Sequence, residues 1–509
     1  MPLLGSIIKK GIELRHKLKT EVRSPVFYQR KELKKLLRKA QFTLFGQTYH
    51  FTTIVNSKNF VNKFRATVPV HDYNSIFAKW WNKCLHHETN VCWPGQVKYF
   101  ALSSGTSGSS SKHIPVTREM VKAIQRTSLR QIISLADYDL PESIFQKGIL
   151  MLGGSTHLHQ HGSYFEGDLS GITASKLPFW FQHFYKPGRK ISRSQDWNAK
   201  LEEIVEKAPD WDIGIIVGVP AWCQLLLEKI IERYKLKNIH QLWPNLSIYV
   251  HGGVSYEPYR KSFSALLGKP IHYIETYLAS EGFIAFQHEK DNRSMRLILN
   301  NGLFFEFVAF NDANFNSDGE LIGKPKTLLI GEVQEGEEYA ILLSTCAGAW
   351  RYLIGDVIKF TNVRNAEIVI TGRTRHYLSL CGEHLSVDNM NKAIEMTADE
   401  LNIRINEFTV AGIPYQSLFA HKWYIACDDK VNAEQLRISL DDKLKILNDD
   451  YRVERGYALK EIFVEVLPHD VFLKWMAMQG KLGAQNKFPR VMKKKQFEEW
   501  EGYVQSVMA

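Results

Sequence analysis

Long apolar runs are missing from this chain: no stretch of its 509 residues approaches the roughly 20 apolar residues a membrane helix needs, so no helical span is expected. The first residues, MPLLGSIIKKGIELRHKLK, hold too short an apolar run for a secretory signal, and their basic residues follow that run. They read as an amphipathic helix packed on the body. Cysteine is sparse. Cys84, Cys92, Cys223, Cys346, Cys381 and Cys427 lie far apart and form no C-x-x-C pair, which argues against a disulfide frame and fits reduced thiols in a cytoplasm. Glycine and proline are not enriched, and no internal repeat is visible. GxSxG, HExxH and the Walker ending Gly-Lys-Ser/Thr are all lacking, so a hydrolase elbow, a zinc protease helix and a P-loop are not indicated. Blocks of one charge sign are lacking too. The net charge of +11 is scattered, and its densest cluster, Lys493 to Lys495, stands beside Glu498 and Glu499, so no nucleic-acid partner is expected.

What is present is ample core. The chain is 44% hydrophobic and 12% aromatic, enough for two to four domains. Residues 1–95 read as mostly helical. From 96 to about 290, continuous apolar strands such as DIGIIVGVP (212–220), LSIYVHGG (246–253) and IHYIETY (271–277) alternate with helical patterns. That alternation predicts an α/β fold with a mainly parallel, helix-covered sheet. Short strands separated by turns between 291 and 370 predict an antiparallel sheet or small barrel-like subdomain. Past Gly372 the pattern becomes mixed α+β, so the expected division is a large domain over 1–373 and a small mobile one over 374–509.

Ligands of parallel sheets bind beyond the carboxyl ends of the strands. The richest loop there is SSGTSGSSSKHIP. From Ser103 to Lys112 it holds seven hydroxyl residues, two glycines and one lysine, between an apolar strand and the helical run Arg118 to Leu135. Glycines let amide groups turn toward an anion and hydroxyls add donors, so the loop suits a polyphosphate; a flexible linker is the alternative. YLASEG (277–282) offers a ring for stacking on a base and a carboxylate for a divalent cation, or only a strand end. WRYLIGDV (350–357) sets Asp356 where it could accept both ribose hydroxyls, or in an ordinary Gly-Asp turn. HGGVSYEP (251–258) allows close backbone approach, Arg373 and Arg375 stand at the expected junction, and Lys487 lies in the loop QNKFPR. His157, His159 and His161 alternate and would share one face of a strand, more as a polar lining than as metal ligands.

In this order, SSGTSGSSSK, HGG, YLASEG, RYLIGDV, GR-x8-CGE and a C-terminal lysine, the motifs resemble those of acyl-adenylate-forming enzymes, the superfamily of firefly luciferase. Within it the chain looks like the auxin-responsive Gretchen Hagen family of acyl acid amido synthetases, and the segments GDLSGI (167–172) and GVPAW (218–222) look like those of bacterial members. The resemblance implies a ligase that adenylates a carboxylic acid with MgATP, releases pyrophosphate, then passes the acyl group to an amino acid and releases AMP. An acyl-CoA ligase, or an inactive nucleotide-binding regulator, is the alternative. By similarity Ser103, Ser104, Gly105, Thr106 and Ser107 hold the phosphates with Lys112, and Gly252 and Gly253 border adenine. Tyr277 stacks on adenine, Ser280 contacts the α-phosphate, and Glu281 binds Mg²⁺ or phosphate. Asp356 takes the ribose and Arg373 the nucleotide near the hinge, Lys487 stabilises the transferring phosphate, and Gly218, Val219, Pro220 and Trp222 border the acid. A monomer is implied, with a dimer allowed. The plant pattern has an arginine where Leu353 stands, so an auxin or jasmonate substrate is not implied.

Overall fold

The computed structural model describes Lys10 and residues 23–103, 112–138, 140–177, 179–290, 292–316, 319–374, 377–479 and 488–508. The expected N-terminal amphipathic helix lies outside the described residues, apart from Lys10. The described chain divides into two compact units. One holds residues 23–103, 112–256 and 263–374; the other holds 257–262 and the described residues from 377 onward.

The first unit opens with a helical layer. The helix Pro25–Ala40 of this layer starts where the Ser24 side chain accepts from the Phe27 amide, with proline at the first helical position. Leu33, Leu36, Leu37 and Ala40 repeat at helical spacing and are fully buried. On the same helix the Gln29 side chain accepts from the Phe305 amide at 2.7 Å, and Glu32 accepts from the Gly302 amide at 2.8 Å. The helix is thereby fastened to a strand far away in sequence.

The strands of this unit are β1 (Tyr99–Ser103), β2 (Lys112–Val116), β3 (Gly148–Met151), β4 (His159–His161), β5 (Tyr164–Gly167), β6 (Tyr185–Lys186), β7 (Ile213–Val217), β8 (Ile248–Gly252), β9 (His272–Ala279), β10 (Gly282–Gln287), β11 (Met295–Leu297), β12 (Leu303–Ala309), β13 (Glu338–Thr345), β14 (Tyr352–Asn362) and β15 (Glu367–Arg373). A four-stranded sheet has the order β2-β1-β5-β4. The large sheet has eleven strands in the order β12-β13-β14-β15-β11-β10-β9-β8-β7-β3-β6. From β6 through β9 every pairing is parallel, and from β9 through β12 every pairing is antiparallel.

The α/β architecture follows the sequence pattern. One part differs: the strands between 291 and 370 are not set apart as a barrel. β11 pairs with β10 on one side and with β15 on the other, through Met295↔Ile368, so the antiparallel strands continue the parallel sheet edge to edge. Closure into a barrel is one way to satisfy a free strand edge; pairing with β11 satisfies this edge instead.

In the second unit β16 (Tyr377–Leu378) pairs with β17 (Leu385–Ser386), and β18 (Ile405–Tyr415), β19 (Leu418–Cys427) and β20 (Leu459–Leu467) form a three-stranded sheet. Alternate residues of its strands enter two cores. Phe408, Val410, Trp423 and Ile425 pack with the helices Val387–Leu401 and Ala433–Leu447, while Ala411, Tyr424 and Ala426 pack with His469–Met478 and Lys494–Met508. The period of two along each strand thus gives a sheet covered by helices on both faces. All six cysteines are free and buried, and no described helix is long and apolar enough to cross a membrane.

Candidate active site

Parallel strands place their following loops at one end, and here three of those loops meet. Gly252 ends β8. A β-carbon on it would lie 2.3 Å from the Thr276 carbonyl oxygen of β9, so only glycine allows this approach. Gly253 has φ +86°, a left-handed conformation open to glycine, and a β-carbon there would sit 3.5 Å from the Val219 side chain. Gly218, one residue past β7, donates its amide to Val250 at 3.1 Å and accepts from the Tyr249 hydroxyl at 3.1 Å. The helix Pro220–Arg233 then starts with proline at its first position, and Trp222 packs its ring 4.5 Å from that of Trp197. The double glycine and the GVPAW segment are therefore neighbours.

β9 and β10 form a hairpin whose turn is Ser280 and Glu281, with Ala279 paired to Gly282. Glu281 is only 8% exposed. Burial pushes its carboxyl up to about 7; Asp356 adds to the rise, while its own backbone amide and the charges of Lys112 and Arg373 oppose it. The Tyr277 ring is buried and its hydroxyl donates to Asp356 Oδ2. Burial holds that phenol well above its ordinary range, so it acts as a donor throughout the physiological range.

Asp356 on β14 and Arg373 on β15 are register partners, and Arg373 Nε lies 3.0 Å from Asp356 Oδ1. Arg373 also donates to the Ile354 carbonyl at 3.1 Å. One oxygen of Asp356 thus faces a phenol and the other a guanidinium, and both partners are held by the large sheet. Such charge-assisted hydrogen bonds fix the carboxylate's orientation. Lys112 opens β2 opposite Ser103 of β1, with its ammonium 5.4 Å from the centre of the Tyr73 ring. Tyr277, Asp356 and Arg373 are joined by direct contacts, and the charges of Asp356, Lys112 and Arg373 all act on the buried Glu281. Ser104, Gly105, Thr106, Ser107, Arg375 and Lys487 lie outside the described residues.

Several residues that shape the site were not singled out in the sequence. Arg351, at φ +45° just before β14, makes a two-pronged ion pair with the buried Glu306 of β12, both contacts at 2.9 Å. It also donates to Thr327 and to the carbonyls of Arg65 and Val68. This fully bonded guanidinium fixes the start of the strand that bears Asp356. Sequence reading passed over it; an arginine amid the apolar run AWRYLI is the one signal that could have marked it. His159 and His161 are exposed on β4; His161 lies 2.8 Å from Glu166, whose other oxygen is 3.1 Å from His113. Among the described residues no group of three histidine, cysteine or acidic side chains is arranged to hold a metal.

In the second unit the CGE motif is structural. Glu383 is fully buried; its carboxylate accepts from the amides of Leu380, Cys381 and Gly382 at 2.8–3.1 Å and lies 2.9 Å from His421 Nε2. Burial alone would raise its pKa, but the His421 contact and the amides hold it below the usual carboxylate range.

Comparison with known proteins gives the family and the fold. The GH3 family N-terminal domain matches residues 14–201 and 154–271, the GH3 family central domain matches 296–373, and the GH3 family C-terminal domain matches 388–496. Indole-3-acetic acid-amido synthetase GH3.2 of Arabidopsis thaliana is 25% identical over 183 residues, 34% of this chain and 33% of the relative. Jasmonoyl--L-amino acid synthetase JAR4 of Nicotiana attenuata is 29% identical over 181 residues, 34% of this chain and 30% of the relative. The aligned part spans about a third of the length of these curated relatives. Among solved structures, GH3.15 acyl acid amido synthetase superposes with a TM-score of 0.58 at 16% identity, covering 98% of this chain and 96% of the other. A 2-hydroxyisobutyryl-CoA ligase superposes with a TM-score of 0.57 at 13% identity, covering 94% and 91%. At such identities the superpositions establish the shared fold. With family models matching most of its length, the chain belongs to the GH3 family.

Proposed function

We propose that this chain is an ATP-dependent acyl acid amido synthetase: it joins a carboxylic acid to AMP with release of pyrophosphate, then passes the acyl group to the amine of an amino acid. The observation that carries the reading is the Asp356 carboxylate held between Tyr277 and Arg373, next to the buried Glu281 turn. An oriented carboxylate of this kind suits the two hydroxyls of a ribose. Adenylation needs alignment and charge neutralisation rather than a protein nucleophile, and the site supplies cations and backbone turns accordingly.

Within this reading, Gly252 and Gly253 border the adenine, Tyr277 orients the ribose-binding carboxylate from the adenine side, and Ser280 faces the α-phosphate. Lys112, with Ser103 to Ser107, attracts the departing phosphates, and Arg373 holds Asp356 beside the nucleotide. Lys487 stabilises the negative charge on the oxygens of the transferring phosphate. The acid lies against Gly218, Val219, Pro220 and Trp222. Glu281 offers one hard carboxylate oxygen, the kind of donor that Mg²⁺ takes alongside substrate phosphates, so this residue fits that ion. Mg²⁺ bound there would neutralise phosphate charge. The division into an adenylating domain over 1–373 and a smaller lid over 374–509, and a cytoplasmic, monomeric enzyme, belong to the same proposal.

The test is a product-mass screen. The purified protein is given MgATP, one of a panel of aryl, indole and fatty acids, and either the twenty amino acids or CoA. An acyl–amino acid mass with AMP supports the reading. A thioester mass formed only with CoA assigns it to the acyl-CoA ligases instead, and AMP formation with no acid overturns both.

A further inference from the structure

Lys200 is an unusual residue for its position. It lies on the helix Trp197–Lys207, whose buried face is otherwise Trp197, Leu201, Ile204 and Val205, and it is 2% exposed. A lysine enters such a face only when its ammonium finds acceptors. Here Nζ donates to the Gly153 carbonyl at 2.7 Å and reaches that of Gly154 at 3.5 Å, while lying 5.3 Å from the centre of the Trp197 ring.

Gly153 and Gly154 follow β3, and the turn they begin is held from several sides. The Gly154 amide donates to Ser170 Oγ at 3.0 Å, and the Thr156 amide donates to the Ser192 carbonyl at 2.8 Å. A β-carbon on Gly154 would fall 1.9 Å from Asp168 Oδ2, so that carboxylate lies directly against the turn. Asp168 also interacts electrostatically with Lys200.

The strand order locates this turn. β8, β7 and β3 are consecutive parallel neighbours, so their loops form a row at one end of the sheet. The β8 loop carries Gly252 and Gly253, and the β7 loop carries Gly218 to Trp222. A β-carbon on Gly218 would lie 3.0 Å from the Leu152 carbonyl, so the β7 and β3 loops touch. Reading outward from the double glycine, the order is nucleotide loop, acid loop, Gly153–Ser155 turn. Trp197, which precedes Lys200 by one helical turn, packs on Trp222 of the acid loop.

We propose that the Gly153–Ser155 turn is the far wall of the acid site and that Lys200 is the positioning residue that sets it, so that Lys200 governs which acids are accepted without touching the reacting atoms. The inference rests on the function proposed above. Removing a charged donor from two carbonyls releases the wall, which affects the acid's far end and leaves the nucleotide loop two strands away unchanged.

The experiment measures acid-dependent ATP–pyrophosphate exchange for the wild type, Lys200→Met and Ser170→Ala, with a short and a long member of one acid series. Ser170 is exposed, so its substitution loosens the same turn with little risk to folding. The expected result is a KM for the acid raised about tenfold in Lys200→Met and less in Ser170→Ala, an unchanged KM for ATP, and a shifted preference between the two acids. Wild-type acid KM and preference in both variants would overturn the inference while leaving the enzyme reading intact. Equal rises in both KM values would reduce Lys200 to a purely structural role and overturn it as well. A wild type that no acid drives would overturn the inference together with the function on which it rests.

Discussion

Asp356 shows how a break in a strand becomes a binding group. The expected Gly-Asp turn before a strand is instead an interruption of register inside β14, with Gly355 at φ +92°, and the aspartate's two oxygens are held by Tyr277 and Arg373 from β9 and β15. Asp356→Ala is expected to weaken ATP binding sharply. Tyr277→Phe keeps the ring and removes one hydrogen bond to a charged partner, so titration calorimetry should show ATP affinity reduced about tenfold. Glu281 sets a pH dependence. Its carboxyl is raised to about 7, chiefly by burial, so between about 4.5 and about 7 the folded protein holds a proton the unfolded chain has released. Its contribution to stability therefore falls as pH rises through that window. Activity should run the other way, because cation binding calls for the carboxylate. The kcat/KM for ATP, which reports the free enzyme, should climb through pH 7, and Glu281→Gln should lose both most of the activity and that limb.

At the level of elements, the parallel strands were legible because β7 and β8 are continuous apolar runs buried on both faces. The joining of the antiparallel strands to them was not, since β11 is only three residues long, Met295–Leu297, and carries too little pattern to announce the pairing that links the two halves. The candidate site was legible where it follows turn chemistry: Gly252, Gly253, Ser280 and Glu281 all sit at strand ends. Arg351 and Lys200 were hidden because each is a charged residue inside an apolar pattern, and its partners, Glu306 and the Gly153 carbonyl, come from distant elements. The Arg351–Glu306 pair holds the beginning of β14, and removing one partner strands a buried charge. Glu306→Ala should cost about 3–5 kcal/mol, read as a lower denaturant midpoint. Gly252→Ala should lower the melting temperature as well, since its β-carbon would meet the Thr276 carbonyl.

For the whole molecule, the two units divide the proposed work. The first carries the oriented carboxylate, the Glu281 turn, the double glycine Gly252–Gly253 and the segment Gly218 to Trp222. The second carries the segment with Lys487, and its CGE turn is tied by the buried Glu383 and His421. Glu383 is held below the usual carboxylate range, so its contribution to stability is present above about 4.5 and is lost as pH falls through its lowered value. Lys487→Ala is expected to leave ATP binding near the wild-type level and slow adenylation strongly, which separates binding from chemistry. The central claim, an ATP site that activates a carboxylic acid, is tested most directly by acid-dependent exchange of labelled pyrophosphate into ATP. It predicts exchange by the wild type that requires both Mg²⁺ and an acid and disappears in Asp356→Ala. Exchange undiminished in Asp356→Ala, or none by the wild type with any aryl, indole or fatty acid, would contradict it.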